Sequence, residues 1–312
     1  MGFCAVCGKE VGPDAARIGG REFCDPHFNR ALGSRKSVLW GSLAGVLAAC
    51  LASFLGALLG RFGLDRAPAP LTVALAAFLA ILPPALWLLI FYRMDSLEPE
   101  PPAMVTGAFA LGALLAGALG IPLLEGVLPR PFAFLPGSAS AFLDAIIFVG
   151  LGQELLKYAG LRAAILMREE FDERIDGIVY GAAIGLGYAT MSNLRLALGT
   201  SGLSLEVAGF ESAISCLAQA SSGGLCGYFA AKAKFDGKAG LFIGLGIGLA
   251  SLLNGAEGSL LSLAARQSMA YLPWRPLLVA GLVALACFGG LFALAWTENG
   301  RAIASSAKGA RA

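Results

Sequence analysis

Eight long apolar stretches run through this chain of 312 residues, near 38–60, 71–92, 103–124, 140–166, 176–199, 207–231, 239–263 and 276–297. Each is long enough to cross a hydrocarbon core of roughly 30 Å as a helix. In such a core every backbone N–H and C=O must find a partner inside the protein, which leaves helices and closed barrels. Barrel strands alternate apolar and lumen-facing residues, and these runs are too long and too continuous for that. The chain reads as an all-α polytopic membrane protein with about eight transmembrane helices. Composition agrees: 57% of residues are apolar, 14% are charged and the mean hydropathy is +0.73. A soluble domain carries roughly 25% charged residues, so a large soluble core is excluded. Polar residues gather in the fourth to seventh runs; the other four are nearly pure hydrocarbon and Gly.

Basic residues set the expected orientation. With the N-terminus inside, fifteen Lys and Arg fall on inside segments, from Lys9 to Arg311, against five on outside loops: Arg61, Arg66, Arg130, Arg266 and Arg275. The positive-inside rule then places both termini in the cytoplasm. The first apolar run starts only near residue 38, behind a Cys-rich polar segment, and does not read as a cleavable signal peptide. The expected organisation is a head at 1–30, a basic linker at 31–37, a helical bundle at 38–300 and a cytoplasmic tail at 301–312.

In the head, Cys4 and Cys7 are two residues apart, sixteen residues follow, and Cys24 and His27 form a second pair with the same gap. A two-residue gap lets both side chains of a knuckle reach one ion, and Gly8 allows the tight turn. Three thiolates and one imidazole complete a tetrahedral structural zinc site with no open position for catalysis. So short a segment has little core of its own, so metal binding supplies its folding free energy. The pattern, with Phe23 and Phe28 around the second pair, resembles half of a LIM-type or treble-clef zinc finger. Such a finger can dock a partner protein. Glu10, Asp14, Glu22 and Asp25 offset Lys9, Arg17 and Arg21, which argues against nucleic acid. Cys50, Cys216, Cys226 and Cys287 lie in apolar runs and read as small packing residues.

His27 is the single histidine of the chain, so no imidazole is available to chemistry in the membrane. Polar motifs there are nonetheless ordered. The loop after the second run reads Asp95-Ser96-Leu97-Glu98-Pro99-Glu100-Pro101. The fourth run holds Gln153-Glu154-Leu155-Leu156-Lys157. The fifth opens on Asp176-Gly177-Ile178-Val179-Tyr180-Gly181, continues through Gly185-Leu186-Gly187-Tyr188-Ala189, and reaches Ser192-Asn193. Together these resemble the PrsW family of intramembrane proteases over about residues 90–260. That family shows a D-x-x-E-P-E-P loop, an E-E-x-x-K motif, a D-G-I-x-Y-G run ending in E-N, and two later helices each with a histidine. The resemblance implies a site built from Gln153, Glu154, Lys157, Asn193, Gln219 and Asn254. It also shows where this chain departs: Gln153 and Ser192 stand for glutamates, and Gln219 and Asn254 for histidines.

Those departures have a common physical sense. Hydrolysis in a membrane needs a metal ion or a strong base to activate water. Gln, Asn and Ser do not titrate near neutral pH and are poor metal ligands. Each replacement keeps a hydrogen-bonding group and loses the proton or metal function. The reading taken is a catalytically impaired or inactive relative that binds membrane-anchored partners, with any intramembrane metal in doubt. One alternative is an active peptidase using Glu154 in a rearranged site. Another is a membrane scaffold whose polar cavity binds a ligand.

Other expectations are structural. Glu154 and Lys157 lie one turn apart and are expected to pair, with snorkelling of Lys157 as the alternative. Asp176 reads as an N-cap, and Asp144 as interfacial. Arg195 is expected to reach an interface or pair with Glu211. Glycines at spacings of four (177, 181, 185; 223, 227; 240, 244, 248) predict close helix packing in the fifth to seventh runs.

Overall fold

The computed structural model describes residues 2–4, 6–18, 21–29, 69–95, 100–127, 142–198, 205–268 and 274–309, with isolated helical positions between 40 and 58. Most of the first expected span and residues 96–99 of the acidic loop lie outside the described residues.

The head contains two small antiparallel hairpins. β1 (Gly2–Phe3) pairs with β2 (Glu10–Val11), and β3 (Ala16–Ile18) with β4 (Arg21–Phe23). Gly8 has φ +65°, the left-handed turn its position after Cys7 requires. Residues 25–29 are helical, so Cys24 and His27 flank a helix start.

The rest is helical. α1 is Ala69–Met94. α2 is Pro102–Leu114, running on as a π-helix over Leu115–Val127. α3 is Leu151–Ala164, preceded without a break by a π-helical Asp144–Gly150. α4 is Arg174–Leu198, α5 Leu205–Asp236, α6 Ala239–Ser268 and α7 Trp274–Gly309. Four of these hold stretches long and apolar enough to cross a membrane: Pro70–Met94, Pro102–Leu124, Ala239–Leu263 and Leu278–Arg301. Their outward Leu and Phe side chains, among them Phe78, Leu114, Leu245, Leu252 and Leu282, are exposed, as lipid-facing surfaces are. α3, α4, α5 and α6 carry the polar residues, and all seven labelled helices coincide with the expected runs. α7 continues beyond the expected boundary at 300, so the start of the tail is helical to Gly309.

α4 is the axis. Every residue from 175 to 190 is buried, with α1, α2, α5 and further helices packed around it. Glycine makes this possible. A methyl group on Gly177, Gly181 or Gly185 would overlap the α5 backbone at Gly227, Gly223 or Gln219, so the two helices run antiparallel with backbones in contact. Gly112 and Gly187 do the same between α2 and α4. Gly240, Gly244 and Gly248 behave otherwise. Among the described residues nothing lies near them, and the close packing seen among those residues centres on α4. One core cluster joins Trp87 and Phe91 of α1 to Phe288 of α7, with Phe91 and Phe288 edge to face at 5.6 Å. The head meets the bundle where β3 packs against α7.

Candidate functional site

Three helices bring one connected polar network into the bundle. α3 supplies Gln153, Glu154 and Lys157, α5 supplies Gln219 and Ser222, and α6 supplies Asn254. Glu154 is 0% exposed and Lys157 2%. The expected pair forms: Lys157 Nζ stands 2.5 Å from Glu154 Oε1. Lys157 also donates to Gln219 Oε1 at 2.7 Å and Ser222 Oγ at 3.0 Å, and lies 5.9 Å from the Tyr188 ring. Gln219 Nε2 donates to Gln153 Oε1 at 3.0 Å and to Asn254 Oδ1 at 2.9 Å. Asn254 Nδ2 donates to Gln153 Oε1 and Glu154 Oε1, both at 2.9 Å. Lys157 therefore does not snorkel; its three donors are spent inside the protein.

Five of the six sequence-derived positions thus converge. The sixth, Asn193, is buried elsewhere: its Nδ2 donates to Ser212 Oγ at 3.1 Å and Cys216 Sγ at 3.2 Å on α5. It holds α4 to α5 and contributes no hydrogen bond to the Glu154 network. Ser222 and Tyr188 were not singled out as partners of Lys157. The available signal for Ser222 was its spacing of three from Gln219, one turn of the same helix.

The donor set is unsuited to a divalent metal. Glu154 is its one carboxylate, and the oxygen turned to the network is bound by an ammonium group. The remaining polar groups are neutral amides and a hydroxyl. The fixed positive charge of Lys157 at the centre opposes a second cation. Within the network, Glu154 Oε2 is buried without a hydrogen-bond partner.

Metal donors converge in the head instead. One atom each of Cys4, Cys7, Cys24 and His27 lies within 4.8 Å of the others. Cys7 and Cys24 sulfurs stand 3.9 Å apart, and His27 Nδ1 is 3.1 Å from Cys24 and 3.6 Å from Cys4. Zn–S bonds of about 2.3 Å put two tetrahedral sulfurs about 3.8 Å apart, so these spacings fit one zinc ion. The Cys24 backbone N–H, hydrogen-bonded to the Cys4 sulfur, is the leading cause of a thiol held down at about 5, in the thiolate range a ligand needs.

Asp176 is not an N-cap. It stands third in α4, and its Oδ2 accepts the backbone N–H of Asp172 at 2.9 Å and Glu173 at 2.7 Å, the reaching-back half of a capping box. Asp144 is buried at the start of the π-helical segment that leads into α3. Arg195 is exposed. At the end of the bundle where α4 begins, Arg174 pairs with Asp236 at 2.6 Å and Glu298 at 3.4 Å; the Asp236 contact leads in raising its pKa. A cavity of about 350 Å³ lies there, lined by Arg174, Phe235, Glu298 and Arg301 among others. It does not include Glu154 or its partners.

The family model for PrsW family intramembrane metalloproteases matches residues 100–287. The chain belongs to the PrsW family. Among its relatives, the Protease PrsW of Bacillus subtilis is 30% identical over 174 residues, covering 55% of this chain and 76% of the relative. That of Oceanobacillus iheyensis is 32% identical over 151 residues, covering 48% and 66%. That of Geobacillus kaustophilus is 34% identical over 150 residues, covering 46% and 60%. No solved structure matches. The family match begins after the head and Asp95, and it extends past the resemblance read from motifs, to residue 287 in α7. This PrsW-family chain is therefore a multi-pass membrane protein of a protease family, and the head lies outside the matched region.

Proposed function

We propose that this PrsW-family protein binds membrane-anchored proteins and has lost most or all peptidase activity. The observation that carries this reading is the closed network around Glu154. Its amides and ammonium satisfy one another, and none except Glu154 can take a proton from water or hold a metal. A bound membrane segment would meet a polar, charge-balanced interior without an activated nucleophile. Proteolysis of a membrane-anchored protein is the activity that family membership implies, and this donor set does not support it.

One observation favours the second reading, an active peptidase. Glu154 Oε2 is buried and available, so it can accept a proton from a water that enters. The test separates them. The full-length protein in proteoliposomes is given a membrane-anchored substrate, beside Glu154→Gln. No cleavage by either supports the impaired relative; cleavage that disappears in Glu154→Gln establishes the active one.

The head is proposed to hold one structural zinc through Cys4, Cys7, Cys24 and His27 and to dock a cytoplasmic protein. The excess of basic residues on the segments expected inside supports cytoplasmic termini, in a bacterial inner membrane. For the scaffold reading, the cavity at the Arg174–Glu298 end of the bundle offers a polar space of about 350 Å³.

A further inference from the structure

Two membrane-length stretches end together at one end of the bundle. Pro70–Met94 of α1 and Leu278–Arg301 of α7 both stop there, and Asn299 Nδ2 donates to the Met94 carbonyl at 3.0 Å. Trp296, just before the end of the second stretch, is 36% exposed. Tryptophan collects at the depth where hydrocarbon meets headgroups. The cavity of about 350 Å³ lies at this boundary, because Glu298 and Arg301 line it.

Its wall carries both signs of charge. Arg174 and Arg301 bring guanidinium groups, Asp172, Glu173 and Glu298 bring carboxylates, and Phe235 is the one aromatic residue of the lining. Arg174 is engaged by Asp236 and Glu298. Arg301 is less committed. Its side chain is 70% exposed, and among the described residues Nη1 alone is hydrogen-bonded, to Glu298 Oε1 at 2.8 Å. A guanidinium has five N–H donors, so most of this one is left for a ligand.

The chemistry of the wall restricts the ligand. Spare guanidinium donors suit phosphate oxygens. A ligand with negative charge alone would meet three carboxylates, and one with positive charge alone would meet two guanidinium groups; a zwitterion complements both. Carboxylates accept hydrogen bonds, so the cation of that zwitterion should donate them. A primary ammonium does, whereas a trimethylammonium group donates none and is held by aromatic cages, which one Phe does not make. The volume is at the low end of the roughly 300–1,000 Å³ of small-molecule sites. That is room for a headgroup whose acyl chains stay in the bilayer. We propose that this cavity binds the headgroup of a phospholipid of the phosphatidylethanolamine class, with Arg301 as a phosphate contact and the carboxylates around the ammonium. The lipid ties together the ends of α4, α5 and α7 at the membrane boundary. This site is separate from the zinc-type head and from the Glu154 network, and it stands whether or not the protein cleaves anything.

The test uses delipidated full-length protein in detergent. Binding of dihexanoyl-phosphatidylethanolamine is followed by native mass spectrometry and by Tm. Phosphatidylglycerol and phosphatidylcholine of the same chain length, and free phosphoethanolamine, are run beside it. The expected result is about one phosphatidylethanolamine per chain and a raised Tm, with weaker binding of the other three. Arg301→Gln should bind about tenfold less tightly. Its lipid-free Tm should match the parent, since so exposed an ion pair contributes little to stability. Asp172→Asn/Glu173→Gln should reverse the order and favour phosphatidylglycerol. No binding of phosphatidylethanolamine, or binding undiminished in Arg301→Gln, overturns the site. So does phosphatidylglycerol or phosphatidylcholine binding as tightly in the parent, because the ammonium would then go unread. Equal binding of free phosphoethanolamine would assign the cavity to a soluble ligand and overturn the lipid.

Discussion

The head and the Glu154 network are opposite solutions to placing polar groups together. In the head, three sulfurs and an imidazole converge, and their mutual spacing fits one ion. Around Glu154, a carboxylate, an ammonium and three amides converge, and they hydrogen-bond to one another. The first arrangement needs something from outside to be stable; the second is nearly complete without it. Residue type therefore decides more than convergence does. A cluster of polar side chains in a membrane is a metal site only if its members leave lone pairs uncommitted.

The sharpest way to break this comparison is to remove the head's ligands. Cys4→Ser/Cys7→Ser should take bound zinc from about one per chain to none, measured by elemental analysis, and unfold the head alone. The free energy at stake is on the order of 10–16 kcal/mol for a structural zinc. A zinc that stays in the variant would put metal in the bundle and overturn the contrast. Acid probes the same site with a defined sign. The Cys4 thiol is held down at about 5 from 9.0, so its contribution to the head is complete above 9, shrinks as pH falls, and is gone once pH passes below about 5. Zinc measured after dialysis should fall in the same direction.

Next in size is the network itself. Lys157→Met leaves Glu154 buried without its counter-charge and should cost about 3–5 kcal/mol, read as a lower Tm in detergent. Adding Glu154→Gln to that variant should recover most of the loss. A double variant no better than the single one would mean that packing, not charge, holds these helices.

Helix contact comes third. Gly181→Leu drives a side chain into the α5 backbone and should cost about 1–3 kcal/mol or more, whereas Gly244→Leu, with open space around it, should change Tm little. Similar losses at both sites would show that Gly244 faces a protein partner in the membrane. The smallest effect is expected at Asn193. Asn193→Ala removes one set of α4–α5 hydrogen bonds, at about 1 kcal/mol, and should leave the zinc content and the Glu154–Lys157 coupling unchanged.

Helices were legible in the sequence because continuous apolar runs have few other solutions in lipid. Cys4, Cys7, Cys24 and His27 were legible because knuckle spacing is local. Gln153, Glu154, Lys157, Gln219 and Asn254 came from motif positions, and three separate helices bring them together. Asn193 shows the limit: its motif position gave no indication of which neighbour of α4 it faces, and it turned to Ser212. Asp176 shows another, since a carboxylate at a helix start reads as a cap until the register is known; at the third position it reaches backwards and meets Glu100 as well. That meeting, like the Asn299–Met94 bond across two hundred residues of chain, depends on helix docking that no local pattern encodes.

The burial of α4 from residue 175 to 190 also bears on how the protein is made. A helix buried continuously from residue 175 to 190, with exposed apolar side chains only at Met191, Leu196 and Leu198 near its end, and carrying Asp176, Thr190 and Asn193, gains little from standing alone in the bilayer. During synthesis α1 and α2 enter first, but α5, which meets its glycines backbone to backbone, has not yet left the ribosome when α4 emerges. Insertion and folding are therefore expected to be coupled for this segment, with α4 settling in the membrane together with α5.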